Sequence, residues 1–259
     1  VCSSDLIIDE FESTGNINKA FIKANISAKM FEEIAKYGIP TFKRIYADWT
    51  KPTVAGWKKV LLENAITPIQ QYSYSTGKNA SDSALIIDAM DILYTGKVDG
   101  FCIVSSDSDF TRLATRLREA GMKVIGIGEK KTLNPFITAC DKFIYIEILK
   151  PEVISPIKNG NKKTSKDEKT RINEPLSKID QGIIKLFLDS VSDLADENGW
   201  AFLGELDNLM LKKKPDFDPR NYGHPKMLSL IKAVHKFEID ERDTGKKNTK
   251  HIYVRRKIN

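Results

Sequence analysis

The sequence predicts an α/β domain built on a mostly parallel sheet, followed by a C-terminal winged-helix domain of helix-turn-helix type. Three observations lead there. Strand-like and helix-like segments alternate from residue 20 to residue 150, which demands crossover connections and so parallel neighbours covered on both faces. Residues 158–174 are rich in Lys, Asn, Ser and Thr with almost no apolar side chain, so they cannot bury enough surface to order themselves. Beyond them come three helix-like segments and a hairpin-like end, the order of a winged helix. The expected division is a doubtful segment over 1–19, a sheet domain over 20–150, a flexible linker over 151–176 and the winged helix over 177–259.

Taken in order, the opening Val1-Cys2-Ser3-Ser4-Asp5-Leu6 reads as a sequence scar rather than an evolved start and is set aside from fold reasoning. Phe21-Ile22 reads as a strand end, and Ser27 as the N-cap of a helix to Tyr37 that Gly38 closes. Thr41 to Trp49 is strand-like, Val54 to Asn64 helical and Ile66 to Tyr74 strand-like. A turn at Gly77-Lys78-Asn79 precedes a strong helix from Ser81 to Tyr94. Phe101 to Ser105 is a buried strand, followed by a helix from Phe110 to Ala120 that ends at Gly121. Met122 to Ile127, Leu133 to Cys140 and Phe143 to Ile148 complete the alternation as strand, short helix and strand. After the linker, helices are expected over Ser177–Glu197, Phe202–Lys212 and His224–His235. Strands over Lys236–Glu241 and Thr249–Arg256 form the hairpin around Thr244-Gly245.

Composition narrows the class of protein. No apolar run approaches the roughly 20 residues that cross a bilayer, and no signal peptide stands out, so no membrane partner is expected. Cys2, Cys102 and Cys140 have no paired spacing and Cys102 lies in an apolar strand, which points to a reducing, cytoplasmic setting. The three histidines have no partnering cysteines, which argues against structural zinc. The formal charge of +6 is uneven: residues 1–150 hold 19 Lys and Arg against 18 Asp and Glu, and residues 151–259 hold 22 against 17. The C-terminal part is therefore the better place to meet a polyanion.

The chemistry gathers at Phe101 to Phe110, where an apolar strand stops at Asp107 and Asp109. In an open α/β sheet the carboxyl ends of the strands are where ligands bind. Asp82 joins them, because helical spacing puts it on the face of Leu85, Ile86, Ala89 and Leu93, while Asp88 and Asp91 point away and read as solvated. Taken singly, Asp82 can serve the helix dipole and Asp107 and Asp109 can cap the next helix. Taken together, three acids on one sheet edge need a hard divalent cation, Mg2+ or Mn2+, and such a site suits phosphodiester hydrolysis. Lys78 is a candidate contact for a substrate phosphate, with an exposed turn lysine as the plain alternative. Gly126-Ile127-Gly128 reads as a tight exit from a strand.

Gly77-Lys78-Asn79-Ala80-Ser81-Asp82, Ile87-Asp88-Ala89-Met90-Asp91 and Val104-Ser105-Ser106-Asp107-Ser108-Asp109-Phe110, leading into Gly121-Met122-Lys123-Val124, resemble the NYN domain, the LabA-like branch of the PIN-like nucleases. The resemblance covers about residues 20–149. It implies a PIN-like three-layer sandwich and a metal-dependent ribonuclease, with metal-site acids at Asp82, Asp107 and Asp109 and with Asn25 orienting ligands or substrate. Leu206 to Leu211, Pro215 to Gly223 and the helix through Leu228, Leu230 and Ile231 resemble the OST-HTH or LOTUS domain, a winged helix associated with RNA. Its candidate RNA contacts are Tyr222, Lys226, Lys232, Lys246, Lys247 and Lys250.

One departure stands out. The family's first strand ends in an Asp-x-Asp-Asn type element, whereas Phe21-Ile22-Lys23-Ala24-Asn25 keeps only the asparagine. Three explanations stay open: a damaged N-terminal sequence, substitution by Asp9 from an earlier strand after the strand-like Leu6-Ile7-Ile8, or loss of a metal ligand. The expected function is a metal-dependent endoribonuclease with RNA, single-stranded or structured, as partner. The alternatives are a noncatalytic RNA-binding adaptor and a DNA-binding regulator, and association into a homo-oligomer is left open.

Overall fold

The computed structural model describes residues 3–8, 28–72, 80–149, 175–243 and 250–257. Six strands, β1 Ser3–Ile8, β2 Ile39–Ala47, β3 Thr67–Gln70, β4 Gly100–Val104, β5 Lys123–Gly128 and β6 Lys142–Tyr145, form one sheet. Every pairing in it is parallel, in the order β3-β2-β1-β4-β5-β6. The winding reverses between β1 and β4, so their carboxyl ends flank the crevice where such sheets bind ligands.

The opening residues correct the sequence reading. Instead of lying outside the fold, Ser3–Ile8 is a central strand: Ile7 is paired with Arg44 on one side and Ile103 on the other. Leu6-Ile7-Ile8 is strand-like by its apolar run, but the polar Ser3-Ser4-Asp5 before it is not, and the ladders on both sides supply what that local pattern lacks. Phe21-Ile22, read as a strand end, falls outside the described residues.

Helices cover both faces because β4 is apolar on both. Phe101 and Ile103 join the core under α3 Ala80–Thr95, α4 Thr111–Glu119 and α5 Asn134–Ala139. Cys102 and Val104 face the other core, with Met30 and Ile34 of a helix, α1, over 28–34 and Val60 and Leu61 of α2 Lys58–Asn64. The segment read as one helix from Val54 splits into a 3-10 turn, Pro52–Trp57, and the short α2. Alternating side chains of one strand thus fasten two layers. None of the described helices is long and apolar enough to cross a membrane.

The C-terminal unit holds α6 Gln181–Leu194, α7 Leu203–Lys213 and α8 Met227–Val234 against an antiparallel sheet of β7 Ala201–Phe202, β9 Lys250–Arg256 and β8 Phe237–Asp243. Asp180 caps α6 by accepting from Ile183 N at 2.9 Å. Phe187, Leu206, Met210, Leu230 and Val254 are fully buried at its centre. This is a winged-helix-like arrangement, and the first strand of the hairpin β8 and β9 ends two residues later than the sequence pattern suggests.

The two units are docked through the segment Lys214 to Arg220. Phe143 N of the edge strand β6 donates to Pro215 O at 2.8 Å, so an outer edge that would attract another strand is covered. Tyr145 donates its hydroxyl to Asp216 at 2.8 Å. Arg220 makes two bonds to Glu33 of α1, at 2.8 and 3.0 Å, while Asp218 accepts from Arg220 Nη2 at 2.6 Å and Nε at 2.9 Å. Glu33 and Asp218 are 4% and 6% exposed, which makes this bidentate cluster the buried electrostatic centre of the interface. Burial pushes the Glu33 carboxyl up, but the hydrogen bonds from Arg220 and Lys36 outweigh it and hold it below its ordinary value. Arg220 is raised, by its bond to Asp218 first, with burial opposing and Glu33 adding.

Candidate metal centre

After β4 the chain changes from apolar to acidic within a few residues, and its own side chains shape the turn. Ser105, buried at 6% exposure, donates its N–H to Ile127 O at 2.9 Å, and its Oγ accepts from Asp107 N at 3.0 Å. Ser106 Oγ accepts from Glu129 N at 2.8 Å. Asp107 in turn accepts from Asp109 N at 2.9 Å and caps the 3-10 turn Ser108–Phe110, whose Phe110 is wholly buried. The capping role is therefore real, and it uses one of the two carboxylate oxygens of Asp107. Gly128 lets β5 come this close, since a Cβ there would lie 2.5 Å from Ser105 O. The glycines of Gly126-Ile127-Gly128 serve close packing: a Cβ on Gly126 would meet Phe143 at 2.5 Å.

α3 starts at the same edge because β3 runs towards it, and Asp82 lies in the first turn. Leu85 and Ala89, on the face shared with Asp82, are fully buried. Oxygens of Asp82, Asp107 and Asp109 lie within 4.8 Å of one another, Asp82 half-buried and the other two exposed. Oxygens that ligate one ion at about 2.1–2.5 Å can stand at most about 4–5 Å apart, so the spacing admits a shared cation. The donor set is all carboxylate, which fits a hard divalent ion such as Mg2+ or Mn2+.

Two expectations fail for tertiary reasons. Asp88, read as a solvated acid, is half-buried: Arg44 and the fully buried Tyr46, both from β2, donate to its carboxylate. Burial and then Asp88 push the Tyr46 phenol up; for Arg44, burial lowers it but the bond to Asp88 leaves it raised. Asp91 is exposed, as expected. Tyr222, read as an RNA contact, is 8% exposed and packs near Phe217, with ring centroids 6.1 Å apart. Its phenol is pushed up to about 12, by burial first and then by Asp216 and Asp180. It belongs to the winged-helix core.

The other expected RNA contacts divide. Lys232 is exposed on α8, and Lys250 is exposed with an ion pair to Glu241 at 3.1 Å. Lys226 precedes α8 and lines a cavity of about 410 Å3 between the two units. Asn25, Lys78, Lys246 and Lys247 lie outside the described residues. Sequence reasoning missed the Glu33–Arg220–Asp218 cluster. Its visible trace was Asp218-Pro219-Arg220, two opposite charges beside a proline; nothing local pointed to Glu33, 187 positions away.

The NYN-domain family model matches residues 16–147, and the OST-HTH/LOTUS domain model matches 174–249. No curated protein matches the chain. Among solved structures, a protein of unknown function from Vibrio parahaemolyticus is similar at 20% identity, covering 55% of this chain and 92% of that one, with a TM-score of 0.43. An uncharacterized protein from Nitrosomonas europaea is similar at 30% identity over 39% of this chain and 94% of that one, with a TM-score of 0.30. Neither likeness bears on function.

Proposed function

The chain belongs to the NYN-domain family, and from that premise we propose that it is a metal-dependent endoribonuclease, a PIN-like three-layer sandwich whose winged helix holds the RNA. The observation that carries this reading is the convergence of Asp82, Asp107 and Asp109 within 4.8 Å at the crevice between β1 and β4. Asp82, Asp107 and Asp109 would hold Mg2+ or Mn2+. When bound, such an ion offsets their repulsion, activates water and stabilises charge on a phosphate under in-line attack. The chain's own part is positional. The Ser105 and Ser106 hydroxyls fix the loop, the cap fixes one face of Asp107, and the buried Phe110 stops the turn from sliding.

For the missing first-strand acid, chain order supports one of the three explanations. β1 ends at Ile8, which is paired with Val104, and the next residue in the sequence is Asp9. Asp9 is thus our candidate for the fourth acid, ahead of anything near Asn25, which keeps its proposed orienting role. This weakens the adaptor reading, whose motive was the sequence Phe21 to Asn25. The test is cleavage of single-stranded RNA by the purified chain, with and without EDTA, for the wild type and for Asp107→Asn. Asn caps a turn as well as Asp, so the substitution removes charge and keeps the loop. Cleavage should require the divalent ion and fall by at least about 100-fold, the upper end of what an outer-shell partner contributes. Cleavage unchanged by Asp107→Asn would sink the assignment.

A further inference from the structure

Between the docked units runs a second and larger cleft of about 1050 Å3, walled by the amino ends of β5 and β6, the end of α4, Tyr37 beyond α1, and α7. Four cations, Arg118, Lys123, Lys142 and Lys212, meet two acids, Glu119 and Asp141, on its walls. Asp141 is already engaged: Arg118 Nε lies 3.0 Å from it, and it accepts from Val124 N at 2.8 Å. Lys123 and Lys142 converge on an aromatic ring, their ammonium groups 5.9 and 5.2 Å from the centroid of Tyr37, and Lys142 also faces Asp207 of α7. Burial first, then the acids Glu33 and Asp218, push that phenol up. Lys212 projects from α7 on the opposite, winged-helix side, exposed.

We infer that this interdomain cleft is a binding path for single-stranded RNA, in which Lys123, Lys142 and Lys212 contact successive phosphates beside Tyr37. The inference rests on the RNA-directed reading above and adds to it a site that neither unit has alone. Cations tracking a backbone next to an aromatic ring are what sequence-tolerant single-strand binding uses, whereas an acidic peptide would have no call for the ring. The cleft needs both units in fixed register, which the bidentate Arg220–Glu33 contact and the Phe143 N to Pro215 O bond supply.

Its place in the sheet separates it from the acids. In a parallel sheet all amino ends share one edge, so Lys123 and Lys142 lie at the edge opposite Asp107 and Asp109. Five residues of β4 at about 3.3 Å each put the two edges roughly 16 Å apart. RNA in the cleft is therefore held away from the acids. The cleft sets affinity and leaves the chemical step alone.

The experiment measures binding of a fluorescent single-stranded RNA across a salt series. It uses the full chain carrying Asp107→Asn, in EDTA, so that cleavage cannot interfere. Against this background the triple variant Lys123→Ala, Lys142→Ala, Lys212→Ala should lower the slope of log affinity against log salt by about 2, at roughly 0.7 per lost phosphate contact. For lines that converge at 1 M this is about 100-fold in affinity at 0.1 M salt. The matching triple to Arg should restore the slope. An unchanged slope in the Ala triple, with the loss appearing instead in Lys232→Ala, Lys250→Ala, would overturn the cleft and leave the RNA-directed function standing. Polyglutamate competing as well as RNA would overturn the choice of ligand. Absence of RNA binding by the parent chain would overturn both.

Discussion

Two acidic clusters among the described residues are built in opposite ways. Glu33 and Asp218 are buried, come from different units, and are closed by the guanidinium of Arg220. Asp82, Asp107 and Asp109 come from one unit, lie at an open sheet edge, and approach each other within 4.8 Å with two of the three exposed. The first arrangement satisfies its charges internally and so fastens structure. The second leaves Asp107 and Asp109 exposed and Asp82 half-buried at a crevice, which suits a ligand that arrives from outside. Burial and enclosure, more than the count of acids, separate a fastening from a site.

The comparison breaks most visibly at Arg220. Arg220→Met leaves Glu33 and Asp218 buried without their shared partner, and should destabilise the chain by about 3 kcal/mol, the low end for a broken buried pair because the arginine side chain stays 29% exposed. Denaturant unfolding followed by fluorescence measures it. A loss under about 1 kcal/mol would put this cluster in the class of surface ion pairs. At the open cluster the expectation reverses: Asp82→Asn and Asp109→Asn should each lower RNA cleavage by about 100-fold or more while the unfolding midpoint stays within experimental error.

Smaller effects sharpen the same contrast. Tyr145→Phe removes one bond between the units, to Asp216, and should cost about 1 kcal/mol without altering cleavage. The smallest is a pH effect. Glu33 is held below its ordinary value, so its contribution to stability is fully present above about 4.5 and is lost as pH falls through its lower folded value. Stability curves from pH 6 to pH 3 should therefore be steeper for the wild type than for Glu33→Gln. Identical acid limbs would remove Glu33 from the account.

Much of this is legible in the sequence. β4 announced itself because a strand buried on both faces must be apolar throughout, and Phe101 to Val104 is. The helical period placed Asp82 above the buried face of α3 for a similar reason. β1 was readable only in part: Leu6-Ile7-Ile8 is strand-like by itself, but Ser3 to Asp5 and the central place of the strand come from partners at 39–45 and 100–104. Asp88 obeyed the helical wheel and still became half-buried, because Arg44 and Tyr46 reach it from β2. Tyr222 shows the reverse error: an aromatic in a polar segment looked exposed, and Phe217 and its neighbours cover it.

The sequence by itself determined the two units, the alternation that makes the first sheet parallel, and the three acids, because those follow from local periodicity and from the abrupt end of an apolar run. Tertiary structure alone decided that β1 sits beside β4, that Arg220 reaches Glu33, and that a lysine-lined cleft lies between the units. These depend on contacts between residues far apart in the chain, and no local pattern encodes which distant partner will satisfy a buried charge or complete a strand.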